Sequence, residues 1–367
     1  MKNVFGNNLT LTLFGESHGP AVGAVIDGLP AGIRVPEEAV SAVMNRRKAY
    51  GRISTSRHEE DKVEFLSGIK DGFTQGTPVT ILIRNENAER KDYTENIIRP
   101  SHADYTGLEK YRGYADLSGG GHFSGRLTAP LTAAGAVCLG MLEKKGITIG
   151  THILQIRTIH DERFHETDPA DQLNALRGKQ FPVLSDQAAD LMKHAIAEAA
   201  DEGDSLGGIL ETAVCGLEAG IGEPWFDTAE GMIAHAVFSV PAVKGISFGA
   251  GFDLAQMKGS EANDAFTAEN GKIRTMTNHS GGIAGGITNG MPVLFRTVIK
   301  PTPSIAKEQR SVDPETLEEK IIAVKGRHDP AIVHRACPVI DAVAALVITD
   351  LCIERYGALW FTEKDKR

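Results

Sequence analysis

From Ala129 onward the chain is apolar on every side of a helix until Glu143-Lys144-Lys145, with Gly146 as the stop. A helix with no polar face has to be covered nearly all round by other elements. A second apolar stretch, Ala336 to Leu351, is interrupted by Pro338, Asp341 and Asp350, and reads as another buried helix rather than a membrane span. A chain of 367 residues, 41% of them hydrophobic, has enough material to cover such helices. Nothing in it resembles a long linker, a low-complexity tract or a fixed-period repeat, so residues 1–367 are expected to form a single domain.

Strand-like runs occur at Leu9–Phe14, Ala21–Ile26, Val79–Ile83, Ile209–Val214 and Val293–Ile299, where β-branched residues alternate in part and turn residues bound most runs. Helix starts are expected at Pro36-Glu37-Glu38, with Val40, Val43 and Met44 on one face, and at Ser185, capping a stripe of Ala188, Leu191, Met192, Ala195, Ile196 and Ala199. Asp313-Pro314 reads as a third start, carrying Leu317, Ile321 and Ile322. Regular βαβ alternation is missing, which favours an α+β fold with mainly antiparallel sheets.

The net charge of −9 argues against wholesale nucleic-acid binding. Cys138, Cys215, Cys337 and Cys352 are far apart and form no CxxC pair, so they read as reduced core thiols, with no metal site expected. The segment MKNVFGNN lacks the apolar stretch of a signal peptide, and the expected compartment is the cytoplasm.

Glycine is the compositional anomaly, at about 11% against roughly 7% in average usage. Several glycines flank candidate chemistry. Gly15-Glu16-Ser17-His18-Gly19 follows a strand and puts His18 on a tight turn, where it fits either a structural histidine or an acid/base group. The same residues match GxSxG, but the strand-like Ala21–Ile26 follows where a nucleophile elbow needs a helix. Residues 46–57 (RRKAYGRISTSR) hold five cations and no acid, either a solvated face or a loop that grips anions through guanidiniums such as Arg47 and Arg52. Gly119-Gly120-Gly121, followed by His122, Phe123, Ser124 and Arg126, fits neither phosphate-loop pattern but could cradle an anion or cofactor. His102 lies in RPSHADY, and Lys300-Pro301-Thr302-Pro303-Ser304 is a proline-stiffened loop with an ammonium and two hydroxyls. In Gly326-Arg327-His328-Asp329-Pro330, Arg327 is expected to hold Asp329 ionised.

Taken together, FGESHGPAVGAVIDGLPAG, GRISTSR, RPSHADYTGLEKY, GGG-x-x-S-G-R-x-T with AAGAV, GEPWFD, PAVKGISFGAGF, NHSGGIAGGITNG, KPTPSI and GRHDPAIVHRACPVID resemble, in order, the chorismate synthase family. The resemblance implies helices sandwiched between antiparallel sheets, a homotetramer, and elimination of phosphate from 5-enolpyruvylshikimate 3-phosphate to give chorismate. It also implies reduced FMN as cofactor, with NADPH entering only as a reductant of the flavin. By motif position His18 is the acid at the phosphate and His102 acts at the reduced flavin. Asp329, with Ser17 and Ser124, tunes or relays the flavin proton. FMN contacts fall on His122, Phe123, Ser124, Pro241, Ala242, Gly285, Lys300, Pro301, Thr302, Pro303, Ser304 and Arg327. Substrate or pyridine-nucleotide contacts fall on Arg47, Arg52, Arg126 and Arg327. The chain departs from the family pattern at Arg46-Arg47-Lys48-Ala49-Tyr50, at 122–127, and at Asp341, where glutamate is usual. A flavin oxidoreductase with net electron transfer and a nucleic-acid-binding module through residues 46–57 are the competing readings.

Overall fold

The computed structural model describes residues 2–49, 51–55, 60–86, 97–269, 271–324 and 329–362, and the backbone but not the side chain of Arg52. Two five-stranded sheets form its outer layers. The first runs in the order Val4–Phe5, Thr10–Gly15, Ala21–Asp27, Val79–Arg84, Glu64–Ser67, and the second Val243–Phe248, Val293–Ile299, Gly208–Cys215, Thr148–Ile156, Ile159–His160. Every neighbouring pair is antiparallel. The five strand-like runs of the sequence all become strands of these two sheets.

The main helices are α1 (Glu37–Arg47), α2 (Asp104–Tyr111), α3 (Thr128–Glu143), α4 (Ala170–Leu176), α5 (Asp186–Asp201), α6 (Ala229–Ser239) and α7 (Val333–Tyr356). α3 packs on strands 21–27 and 79–84 of the first sheet, α7 on strands 148–156 and 208–215 of the second, and the two helices pack on each other. The apolar helices are therefore the middle layer of a β-α-β sandwich, which is why neither needs a polar face. Gly135 stands against Ala342 at the α3–α7 crossing, where a Cβ would strike the Ala342 main chain. α7, and α3 taken together with the helical turns before it (Ser118–Glu143), are long and apolar enough by composition to cross a bilayer, but their most apolar windows are 100% and 78% buried inside the protein. One core cluster runs from Leu9 to Phe361, with a five-residue satellite around Phe164 and Leu294.

α7 also fastens the start of the chain. The buried Asp350 carboxylate accepts the main-chain N–H groups of Asn7 (2.9 Å), Asn8 (2.7 Å) and Leu9 (2.8 Å). Ser185 caps α5 as expected, accepting from Ala188 N, but Leu191 of the expected stripe is half exposed.

The third expected helix does not form. Asp313 is followed by a turn, and Gln309–Val312 pairs with Glu319–Ile322 as a hairpin. The Asp313 carboxylate captures Glu315 N and Thr316 N as it would in a helix cap, but Leu317 then takes a φ of +59° and the chain reverses. A helix cap and an Asx turn share those first bonds, and the β-branched Ile321-Ile322 favours the strand.

Candidate active site

Strands Thr10–Gly15 and Ala21–Asp27 are paired from Thr10–Asp27 to Gly15–Val22, so Glu16 to Pro20 form the hairpin tip. A strand on both sides excludes the strand–turn–helix geometry of a hydrolase elbow. Ser17 N donates to Gly121 O at 3.1 Å, docking the tip on the triple-glycine loop. Ser17 Oγ lies 3.1 Å from His18 Nδ1 and 3.1 Å from the carbonyls of both Ser118 and Gly119. Gly119, Gly120 and Gly121 have φ of +59°, +89° and +52°, and a Cβ at Gly119 would overlap the His18 ring. His122 Nδ1 donates to Gly15 O at 2.8 Å, closing the loop against the strand end.

His18, Gly119 and His122 face a cavity of ≈ 1220 Å³. Arg47, His102, Phe123, Ser124, Arg126, Pro241, Ala242, Lys300, Thr302, Pro303, Ser304 and Asp329 line the same cavity. Ser17 and Pro301 do not line it, although Ser17 holds His18, which does. Gly285 lies on an exposed hairpin turn away from the lining. Arg327 and the side chain of Arg52 lie outside the described residues.

Three clusters shape this space. In the first, Asp61 stands between two arginines: Oδ2 accepts from Arg47 Nη1 at 2.8 Å, and Oδ1 forms a very short pair with Arg126 Nη1. Arg47 also bonds Thr128 Oγ1 and Gly125 O, and Arg126 bonds Asn85 Oδ1 and Arg84 O. Burial, opposed by the Asp61 carboxylate, lowers the Arg47 pKa to about 10, which leaves it charged near neutral pH. Two guanidiniums against one carboxylate leave this wall with a net positive charge.

In the second, His102 Nδ1 donates to Pro100 O (3.0 Å) and Nε2 meets Ser304 Oγ (2.8 Å). Burial first, and then the Arg99 guanidinium, push its pKa down to about 4, so His102 is neutral at pH 7. Lys300 Nζ donates to Ser101 O at 2.6 Å, tying the 300–304 loop to the His102 loop.

In the third, Asp329 Oδ1 accepts from Thr55 N (2.8 Å) and Oδ2 from Arg335 Nη1 (2.5 Å). The cation at Asp329 among the described residues is thus Arg335, where the sequence pointed to Arg327. Ser17 Oγ serves His18 and two carbonyls, and Ser124 Oγ accepts from Arg126 N, so neither hydroxyl is bonded to Asp329.

Asp61 and Arg335 escaped the sequence reading. Glu59-Glu60-Asp61 looks like a solvated acidic run, and Arg335, although it shares the GRHDPAIVHRACPVID stretch with Asp329, is six residues from it and was given no role.

The space and donors fit a flavin mononucleotide beside a small anion. The cavity exceeds what one drug-sized ligand needs, roughly 300–1,000 Å³. Thr302 Oγ1 is buried with no hydrogen-bond partner among the described residues and lies near the Lys300 ammonium in sequence, a pairing suited to a phosphate. Leu131, Val339 and Val343 offer apolar wall for a planar ring.

The family model described as chorismate synthase matches residues 9–353. The chorismate synthase of Korarchaeum cryptofilum is 46% identical over 351 residues, covering 95% of this chain and 96% of that protein. That of Thermococcus gammatolerans is 44% identical over 353 residues, covering 95% and 97%. A crystal structure of chorismate synthase superposes with a TM-score of 0.77 at 28% identity, covering 96% of this chain and 94% of the other. With a helix layer held between two antiparallel sheets and a cationic cavity at their edge, the chain belongs to the chorismate synthase family.

Proposed function

We propose that the cavity holds reduced FMN and 5-enolpyruvylshikimate 3-phosphate together, and that His18 donates the proton that accompanies phosphate loss. The enzyme is a carbon–oxygen lyase that makes chorismate. The observation carrying the site assignment is convergence: His18, His102, Arg47, Arg126 and Asp329 come from five separate segments and line one cavity.

The substrate carries two carboxylates and a phosphate, and the Arg47–Asp61–Arg126 wall offers guanidiniums already held in place. Because the Ser17 hydroxyl proton is directed to a carbonyl, its lone pair accepts from His18 Nδ1–H, which gives proton exchange to Nε2. His102, held neutral, orients through Ser304 toward the flavin side. The Asp329 carboxylate, fixed by Thr55 N and Arg335, is an acceptor for the proton released as the ring loses hydrogen. Ser124 shapes the loop between them by capping Arg126 N. Lys300, Thr302 and Ser304 would hold the FMN phosphate, and His122, Phe123, Pro241 and Ala242 would border the ring. Reduced flavin, when bound, would supply the electron-rich centre that assists loss of hydrogen from the ring. Arg52, Arg327, Pro301 and Gly285 are assigned by motif position, and NADPH enters only as a reductant of the flavin.

A single catalytic domain in the cytoplasm, assembled as a homotetramer, completes the reading. The exposure of Trp225 (85%), Phe226 (94%) and Phe252 (87%) supports subunit contact there. Sedimentation equilibrium is expected to give four times the 39.3 kDa chain mass. The decisive experiment is anaerobic: the protein, chemically reduced FMN and the substrate are mixed, and phosphate and chorismate are measured. Absence of phosphate release under these conditions refutes the proposal.

A further inference from the structure

Asp329 stands just before α7, with both carboxylate oxygens already engaged, and the group engaging one of them has a second task. Arg335, on the first turn of α7, donates from Nη1 to Asp329 Oδ2 at 2.5 Å and from Nε to the main-chain carbonyl of Arg47 at 2.9 Å. Arg47 is the last residue of α1, so this carbonyl is one that the helix itself cannot satisfy. The side chain of the same Arg47 is held by Asp61, Thr128 and Gly125. Arg47 is thus fixed at its carbonyl by Arg335 and at its guanidinium by the anion wall.

We propose that Arg335 is a positioning residue for the elimination, setting the Asp329 carboxylate and the Arg47 anchor in one register through two nitrogens of a single guanidinium. This rests on the reading of Asp329 as the group that handles the departing ring proton. Arg335 and Asp329 are mostly buried, with side-chain exposures of 23% and 13%, so solvent screens the pair only in part. A lysine keeps the charge but has one nitrogen to offer, and the planar fork is lost.

The test is steady-state turnover with chemically reduced FMN, anaerobically, for D329N, R335A, R335K and the D329N/R335A double variant. R335A is expected to lower kcat about 100-fold, the loss typical of a reacting group misplaced by about 1 Å, while FMN titration stays close to wild type. The double variant is expected to lie within about threefold of D329N alone, because the two side chains act as one unit. Millimolar guanidinium is expected to restore part of the R335A rate and none of the D329N rate. Should R335A fail to fold, R335K carries the test: a loss of about tenfold supports the proposal, and full activity overturns it. Wild-type turnover by D329N removes the reading of Asp329 itself. An impaired D329N beside a fully active R335A, or losses that multiply in the double variant, overturns the role of Arg335 while leaving Asp329 in place.

Discussion

The contact between Gly119 and His18 can be tested with one methyl group. Gly119 has a φ of +59°, where a Cβ costs about 1–2 kcal/mol in any L-residue. In Gly119→Ala the added Cβ also overlaps Cε1 and Nδ1 of His18. Restoring an ordinary contact of 3.4 Å requires the ring, or the loop, to retreat by about 1 Å or more, a displacement that costs on the order of 100-fold when it moves a reacting group. Gly120→Ala is the internal control. Its φ of +89° imposes a similar backbone strain, but its Cβ would meet only the Ser124 Cβ at 3.6 Å. Urea unfolding should therefore give losses of about 1–2 kcal/mol for both variants. Anaerobic phosphate release should fall about 100-fold in Gly119→Ala and far less in Gly120→Ala. Equal activity in the two variants, at equal stability, refutes the idea that the glycine is there to make room for the imidazole.

Three other outcomes follow from the same geometry. His18→Ala should greatly slow turnover while FMN titration is unchanged, and normal turnover contradicts its role as acid. Asp61→Ala leaves two buried guanidiniums without their shared carboxylate and should cost roughly 3–5 kcal/mol in urea unfolding; a loss below about 1 kcal/mol means the arginines relax into solvent. Burial, then Arg335, pushes the pKa of His334 down to about 3, and among the described residues its Nδ1 has no partner to receive a second proton's bond. The unfolded chain therefore binds a proton that the folded one refuses between pH 6.5 and about 3, so stability is full above pH 6.5 and falls on acidification by up to ~1.4 kcal/mol per pH unit. His334→Gln should flatten that slope in urea titrations from pH 7 to 4, and an identical slope in both proteins removes His334 as its source.

The sequence carried the layers of the fold well, because the features that specify them are local. Val79–Arg84 alternates buried and part-exposed residues as a half-buried strand should, and α3 is apolar all round because it is covered all round. The hairpin at 309–322 was lost to a local ambiguity, since Asp313 makes the same first bonds in a turn as in a helix cap. Of the candidate site, the convergence of motif residues is what the structure displays, with His18, His102 and Lys300 on one cavity. What was not legible is partnership at a distance. Arg335 lies six residues beyond Asp329 and reaches it because side chains of a helix's first turn lean back toward its N-terminus, while Arg327 lies outside the described residues. Asp61 was hidden for a similar reason: its meaning depends on Arg126, 65 residues away.

The reach of α7 also has a consequence for the order of events during synthesis. The hairpin with His18 leaves the ribosome some 300 residues before Asp329, Arg335 and the Asp350 that clasps Asn7, Asn8 and Leu9. Until α7 docks, α3 lacks its partner in the middle layer and the first strands lack the carboxylate that ties them down. A nascent chain cannot gain its reaction centre piecemeal, and while it waits it exposes the apolar surface that chaperones recognise. The cavity of this protein can therefore assemble only once α7 has been made and has docked on α3.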